Sequence, residues 1–210
     1  TALLVVSFGT SYPETLAKTI AAIETELQTA FPEADLFRAF TSKKITAKLQ
    51  KRDGVTVDSP GSAMKKIVAA GYNQVICQTT HIINGTEYDQ MIFELRQWAS
   101  QFRRMTVGRP LLTTHEDFKQ VTRILMEEIL PLAEQEAWVF MGHGSVHHAN
   151  SAYPAMNYYL ERFGHPGCFM ATVEGFPELR DVISELKAGG YNRVGLSPFM
   201  VVAGDHAQND

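Results

Sequence analysis

The chain has 210 residues, 45% of them apolar and 20% charged, with a formal net charge of −4. That composition suits a soluble globule with a sizeable core, and its acidic balance lacks the basic face a nucleic-acid partner requires. No apolar run approaches the roughly 20 residues that span a bilayer, so no membrane partner is expected.

Leu3 to Phe8 is a continuous apolar run ending in Gly9, the pattern of a strand buried on both faces. The opening residues lack a basic flank and are too short for a signal peptide. A chain that does not start with Met still leaves room for a removed leader and a periplasmic location. Ser11-Tyr12-Pro13-Glu14 predicts a helix start, with Ser11 as cap and Glu14 closing a capping box. Leu16, Ile20, Ile23 and Leu27 continue that helix as one apolar stripe. Leu36 to Phe40 reads as strand two, followed by helices over Lys43 to Arg52 and Ala63 to Ala70, the latter after a Ser59-Pro60 cap. Gln74 to Thr80 is strand three, running into the Asn84-Gly85 turn. Thr86-Glu87-Tyr88-Asp89 then caps a helix whose stripe is Met91 or Ile92, Leu95, Trp98 and Phe102. A short strand from Met105 to Gly108 precedes a long helix from the Thr114 cap to about Leu130. The rest alternates strands at Trp138–Met141, Phe169–Val173 and Arg193–Pro198 with helices near Ala149–Arg162 and Glu178–Ala188. Alternation at these lengths means an α/β fold with parallel sheets flanked by helices.

The chain repeats itself. Gly71-Tyr72-Asn73-Gln74-Val75 returns as Gly190-Tyr191-Asn192-Arg193-Val194, and in the same register Asn84-Gly85-Thr86-Glu87 falls on Ala203-Gly204-Asp205-His206. Ser7-Phe8-Gly9-Thr10 falls on Gly142-His143-Gly144-Ser145. Two similar lobes are therefore expected, 1–134 and 135–210, with the second presenting imidazoles where the first has Phe8 and Glu87. The second lobe stops just past its Gly-Asp-His loop, whereas the first continues there with a helix and a strand. The architecture asks for at least about 20 further residues, so an incomplete C-terminal lobe is the expectation.

The residues with chemical potential cluster at strand ends, where open parallel sheets bind ligands. Flanking glycines let His143 project above a sheet edge, although a strand-end histidine also serves by bonding a neighbouring carbonyl. His206 occupies the same kind of place after the last strand. Glu174 ends the strand between them, either as a third donor or as a solvated first-turn glutamate. Two imidazoles and a carboxylate make a mixed N/O site for cobalt, nickel, iron or zinc. Glu87 is either a helix N-terminal acid or a carboxylate facing the imidazoles. His147 and His148 read as a surface pair at a helix start, His81 as a satisfied strand residue, and His115 and His165 as structural. Met156, Tyr158, Tyr159, Phe163, Phe199 and Met200 read as core. Cys77 and Cys168 have no CxxC or disulfide spacing, which favours free thiols in a reducing cytoplasm. There is no P-loop and no GxGxxG, and Gly142-His143-Gly144-Ser145 is not a GxSxG elbow.

Several segments carry a specific resemblance: Ala2-Leu3-Leu4-Val5-Val6-Ser7-Phe8-Gly9-Thr10-Ser11, Asp35-Leu36-Phe37-Arg38-Ala39-Phe40-Thr41-Ser42, His81-Ile82-Ile83-Asn84-Gly85, Phe140-Met141-Gly142-His143-Gly144 and Val201-Val202-Ala203-Gly204-Asp205-His206. Together they resemble the anaerobic sirohydrochlorin cobaltochelatases, the CbiK-type class II chelatases of cobalamin biosynthesis, across essentially the whole chain. The resemblance implies two similar lobes with a cleft between them, where Co2+ enters sirohydrochlorin without ATP. It assigns metal binding to His143, Glu174 and His206, and a further acid to Glu87. His143 and Glu87 are the expected catalytic groups, and Arg38, Lys43 and Lys44 are candidates for the substrate's carboxylates. Fe2+ or Ni2+ as the metal, a tetrapyrrole or metal carrier without catalysis, and a metallohydrolase stand as alternatives. A homo-oligomer is left open.

Overall fold

The computed structural model describes residues 1–202, so the expectations for Asp205 and His206 lie outside the described residues. The chain divides into two compact units. One is Thr1–Pro110, to which Val201 and Val202 also belong, and the other is Leu111–Met200.

The first unit holds a four-stranded parallel sheet in the order β2-β1-β3-β4, built from β1 (Ala2–Ser7), β2 (Asp35–Phe40), β3 (Gln74–Thr79) and β4 (Arg104–Val107). All six residues of β1 are buried, which explains its unbroken apolar run. Ala2, Leu4 and Val6 pack against Met64 and Ile67 of α4 (Pro60–Ala69) and Met91 and Leu95 of α5 (Thr86–Arg96). Leu3 and Val5 face the other way, onto Leu27 and Ala34.

The first predicted helix is two: α1 (Pro13–Lys18) and α2 (Ile20–Ala30), broken at Thr19. The Thr19 hydroxyl bonds back to the Thr15 carbonyl at 2.7 Å, a contact that competes with the helical ladder and bends it. Nor does the expected capping box form, because the cap position is Tyr12 and its side chain makes no cap bond. Ser42 and Ser59 do cap α3 (Lys43–Asp53) and α4. At α5 the cap is Gly85, which makes Thr86 the first helical residue. That helix stops before Trp98, so Trp98 and Phe102 reach the core from a following 3-10 turn, Ala99–Gln101.

The second unit holds a three-stranded parallel sheet, β6-β5-β7, from β5 (Glu136–Gly142), β6 (Cys168–Thr172) and β7 (Arg193–Pro198). One face packs Ala137, Val139 and Ala171 under Val182 and Leu186 of α8 (Leu179–Ala188). The other carries α7 (Ala152–Phe163), with Tyr153, Met156 and Leu160 turned inward. α6 (His115–Ile129), with its Thr114–Asp117 capping box, lies against α7, and Phe118 stacks on Tyr159. Tyr158 and Phe163 were expected in the core but are exposed, because α7 turns a different stripe towards the sheet.

The internal repeat is visible in the strand registers. Leu3 pairs with Ile76 in the first sheet, and their sequence counterparts Trp138 and Gly195 pair in the second. Side-chain volume is redistributed within that pair. A Cβ on Gly195 would stand 2.2 Å from Cε3 of Trp138, so the indole occupies the space an isoleucine fills in the first sheet. The indole N–H then donates to Ser197 Oγ at 3.1 Å.

Candidate functional site

In each sheet the first strand is flanked on both sides by later ones, so the strand order reverses at β1 and at β5. The crevice outside the carboxyl end of such a strand is where open α/β sheets take ligands. His143 follows β5 directly and therefore stands at this switch point. Glu174 lies just past the end of the neighbouring β6.

The sheet ladder runs one step into the two loops. Val173 N–H donates to the Gly142 carbonyl at 3.0 Å and Glu174 N–H to the His143 carbonyl at 2.7 Å. The first unit repeats this arrangement, with Thr41 bonded to Ser7 and Ser42 to Phe8. Phe8 and Ser42 thus hold the framework positions of His143 and Glu174 without their chemistry. Gly144 has φ +82°, and a Cβ there would stand 2.1 Å from the Glu174 carbonyl oxygen. The two tips are packed backbone to backbone, and only glycine permits it.

His143 and Glu174 are both solvent-exposed at these tips. The Nδ1 of His143 lies 3.0 Å from the Gly144 carbonyl. A carbonyl oxygen only accepts, so Nδ1 carries a proton in this contact, and in the neutral imidazole the lone pair then belongs to Nε2. Such orientation is what a metal-ligating imidazole requires.

Two residues that the sequence reading passed over support this loop. Tyr153 of α7 is buried at 3% exposure, and its ring fills the space beside Gly142, where a Cβ would meet Cε1 at 2.3 Å. Burial raises its phenol pKa, against the opposing pull of the Gly144 and His143 N–H groups. Asn150 bonds the Ser145 N–H at 2.9 Å and the Phe176 carbonyl at 2.7 Å. Asparagine in a His-His-Ala-Asn run carries no local mark of such a role; the partner loops are what give it one.

Among the described residues, no three His, Cys, Asp or Glu side chains converge as a metal cage. The structure brings His143 and Glu174 onto adjacent tips of one sheet, while His206 lies outside the described residues. Glu87 is half-buried in the first turn of α5, in the first unit.

The other described histidines serve local structure. His147 caps its turn by accepting the Ala149 N–H at 3.2 Å, and its ring lies 4.0 Å from that of His148. His165 accepts the Gly167 N–H at 3.0 Å, and His115 bonds the Tyr159 hydroxyl. His81 sits two residues beyond β3, held by Thr79 Oγ1 at 2.5 Å, and burial pushes its pKa down to about 4. Ser145 Oγ accepts the His147 N–H at 3.0 Å and serves the turn, unlike an activated nucleophile.

Arg38 is committed elsewhere. Its Nε donates to Glu24 at 2.7 Å, and a second nitrogen engages the other carboxylate oxygen; Glu24 is 5% exposed. Lys43 and Lys44, at the start of α3, are exposed. Cys77 and Cys168 are free and buried, and burial raises their thiols to about 12 and about 11.

The model of the cobalt chelatase (CbiK) family matches residues 1–210. The chain belongs to that family. It is 44% identical over 209 residues to a protein of Salmonella typhimurium named sirohydrochlorin cobaltochelatase, covering 100% of this chain and 79% of that protein. It is 31% identical over 216 residues to sirohydrochlorin cobaltochelatase CbiKC of Nitratidesulfovibrio vulgaris, covering 99% of this chain and 74% of that protein. Among solved structures, SirB from Bacillus subtilis with Fe3+ superposes with a TM-score of 0.67 at 16% identity, covering 99% of this chain and 80% of that one. The sirohydrochlorin chelatase SirB from Bacillus subtilis subspecies spizizenii in complex with cobalt gives 0.64 at 15% identity, covering 99% and 79%. At these identities the two structures establish the fold of this CbiK-family chain: helix-flanked parallel sheets. Among the described residues, no helix is long and apolar enough to cross a membrane.

Proposed function

We propose that this chain is a sirohydrochlorin cobaltochelatase of cobalamin biosynthesis, inserting Co2+ into sirohydrochlorin without ATP, with His143, Glu174 and His206 as the metal donors. The observation that carries the residue assignment is the ladder contact of 2.7 Å between Glu174 and His143 at the β5 switch point. It sets the backbones of the two residues side by side at the end of one sheet, in a chain of the CbiK family.

Insertion needs three things: a metal partly stripped of water, acceptors for the two pyrrole N–H protons, and a ring held against the metal. A neutral His143 with its Nδ1–H held by Gly144 offers Nε2 to the ion. Glu174 adds an anionic oxygen, which lowers the cost of bringing a divalent cation out of water. These N/O donors hold cobalt moderately and allow its transfer onward, unlike a thiolate cage. A nitrogen that binds metal cannot accept a proton at the same moment, so the base role of His143 belongs to a different step from its ligand role. Glu87 assists proton removal or orientation. The exposed Lys43 and Lys44 remain candidates for the substrate's carboxylates, whereas Arg38 is neutralised by Glu24.

The test is cobalt insertion followed by absorbance under anaerobic conditions. His143→Ala abolishes turnover at neutral pH and leaves the circular dichroism unchanged; turnover near wild type removes His143 from its role. A second reading, iron as the metal, draws on the Fe3+ in one SirB structure. Competition between equal free Co2+, Fe2+ and Ni2+ decides between them.

A further inference from the structure

We propose that Asn150 is a positioning residue for metal insertion: its carboxamide ties the loop bearing His143 to the loop bearing Glu174 and sets the spacing of the two donors. The inference rests on the reading of His143 and Glu174 as cobalt donors.

Asn150 sits in the 3-10 turn His148–Ser151 that leads into α7. Its Oδ1 accepts the Ser145 N–H at 2.9 Å, two residues past His143, and its Nδ2 donates to the Phe176 carbonyl at 2.7 Å, two residues past Glu174. Both lengths are those of well-made amide bonds. The orientation is unambiguous, since a backbone N–H only donates and a carbonyl only accepts; flipping the amide would break both contacts. The last ladder bond between the two segments is Glu174 to His143, and beyond it Asn150 bridges the departing loops. Gly175, at φ +147°, lets the bridge form, because a Cβ there would stand 2.7 Å from Asn150 Oδ1. The intervening chain is itself braced, with Ser145 Oγ accepting the His147 N–H and the His147 ring accepting the Ala149 N–H.

Metal–ligand bonds of about 2.0–2.2 Å tolerate little drift, so groups that orient the donors typically matter 10–100-fold in affinity or activity. Freed of its bridge, the pair of tips is held only by the ladder bonds at Gly142 and His143 and the packing at Gly144, and the spacing of the donors loosens.

The experiment measures Co2+ binding to the intact enzyme by isothermal titration, together with insertion kinetics and Tm. Asn150→Ala removes both bonds, whereas Asn150→Asp keeps the acceptor for Ser145 and loses the donor to Phe176; should the alanine variant not fold, the aspartate variant carries the test. The expected result is a 10–100-fold loss of Co2+ affinity for Asn150→Ala and a smaller loss for Asn150→Asp. KM for sirohydrochlorin stays within about 3-fold. In a Glu174→Gln background the Asn150→Ala effect on Co2+ shrinks to less than about 2-fold, as expected of residues acting through one another. Equal losses in both backgrounds, a parallel rise in the KM for sirohydrochlorin, or unchanged Co2+ affinity overturns the proposal. If His143→Ala and Glu174→Gln themselves keep full Co2+ affinity, the donor assignment fails; if they lose it and Asn150→Ala does not, the positioning role alone fails.

Discussion

Replacing Gly144 with alanine tests the close approach of the two tips more sharply than removing a donor does. At φ +82° the new side chain costs about 1–2 kcal/mol in backbone strain alone. Its Cβ would also lie 2.1 Å from the carbonyl oxygen and 2.5 Å from the carbonyl carbon of Glu174. Those atoms are backbone, so no rotamer relieves the clash, and one tip must retreat by roughly 1 Å to restore ordinary contact. A displacement of that size at a reacting geometry costs on the order of 100-fold, equivalent to about 2.7 kcal/mol of transition-state stabilisation. The control is Gly190→Ala, which has similar strain at φ +73° but nothing within 4 Å of its Cβ. Both variants should lose a few degrees of Tm, at roughly 2–4 °C per kcal/mol for a chain of this size. Only Gly144→Ala should lose about 100-fold in kcat/KM for cobalt insertion, measured by anaerobic absorbance with both substrates varied. If Gly144→Ala turns over within about 3-fold of Gly190→Ala, the close packing of these tips does not govern insertion, and the argument from geometry would be refuted.

Gly195→Ala should destabilise the second unit by about 1–3 kcal/mol in urea unfolding, because it overpacks against Trp138. Adding Trp138→Leu should recover part of that loss; purely additive effects would show that the pair does not share one volume. His81 titrates at about 4 in the fold against 6.5 in the unfolded chain, so the unfolded state takes up the proton first as pH falls. Stability is full above about pH 6.5 and declines towards pH 4, by up to roughly 3 kcal/mol. His81→Gln should flatten that slope in unfolding titrations at pH 4.5 and 7, and an unchanged slope would assign the dependence to other groups.

Much of the framework is legible in the amino-acid order because the rules involved are local. The buried run before Gly9, the Ser59 and Thr114 caps and the alternation of apolar periods each depend on a few neighbouring residues, and both caps form. Local rules also misled where a competing local contact existed. Ser11 and Glu14 read as a capping box, yet the cap is Tyr12, and Thr19 breaks the helix by bonding to Thr15. The stripe of α7 was ambiguous for the same reason: Tyr158 and Phe163 have core-like chemistry, and which face turns inward depends on where the sheet lies.

The repeat and the Gly-His-Gly strand end were determined by sequence alone, since both are patterns of composition and spacing. The same was true of the family resemblance and of Glu174 as a strand-end acid. Tertiary structure decided that β6 lies beside β5, which makes Glu174 the neighbour of His143, and that Asn150 spans their loops. It also decided that Arg38 faces Glu24 and that Trp138 fills the space over Gly195. Each of these depends on strand order and register, which arise when distant segments compete for one buried surface, and no short stretch of chain encodes the outcome of that competition.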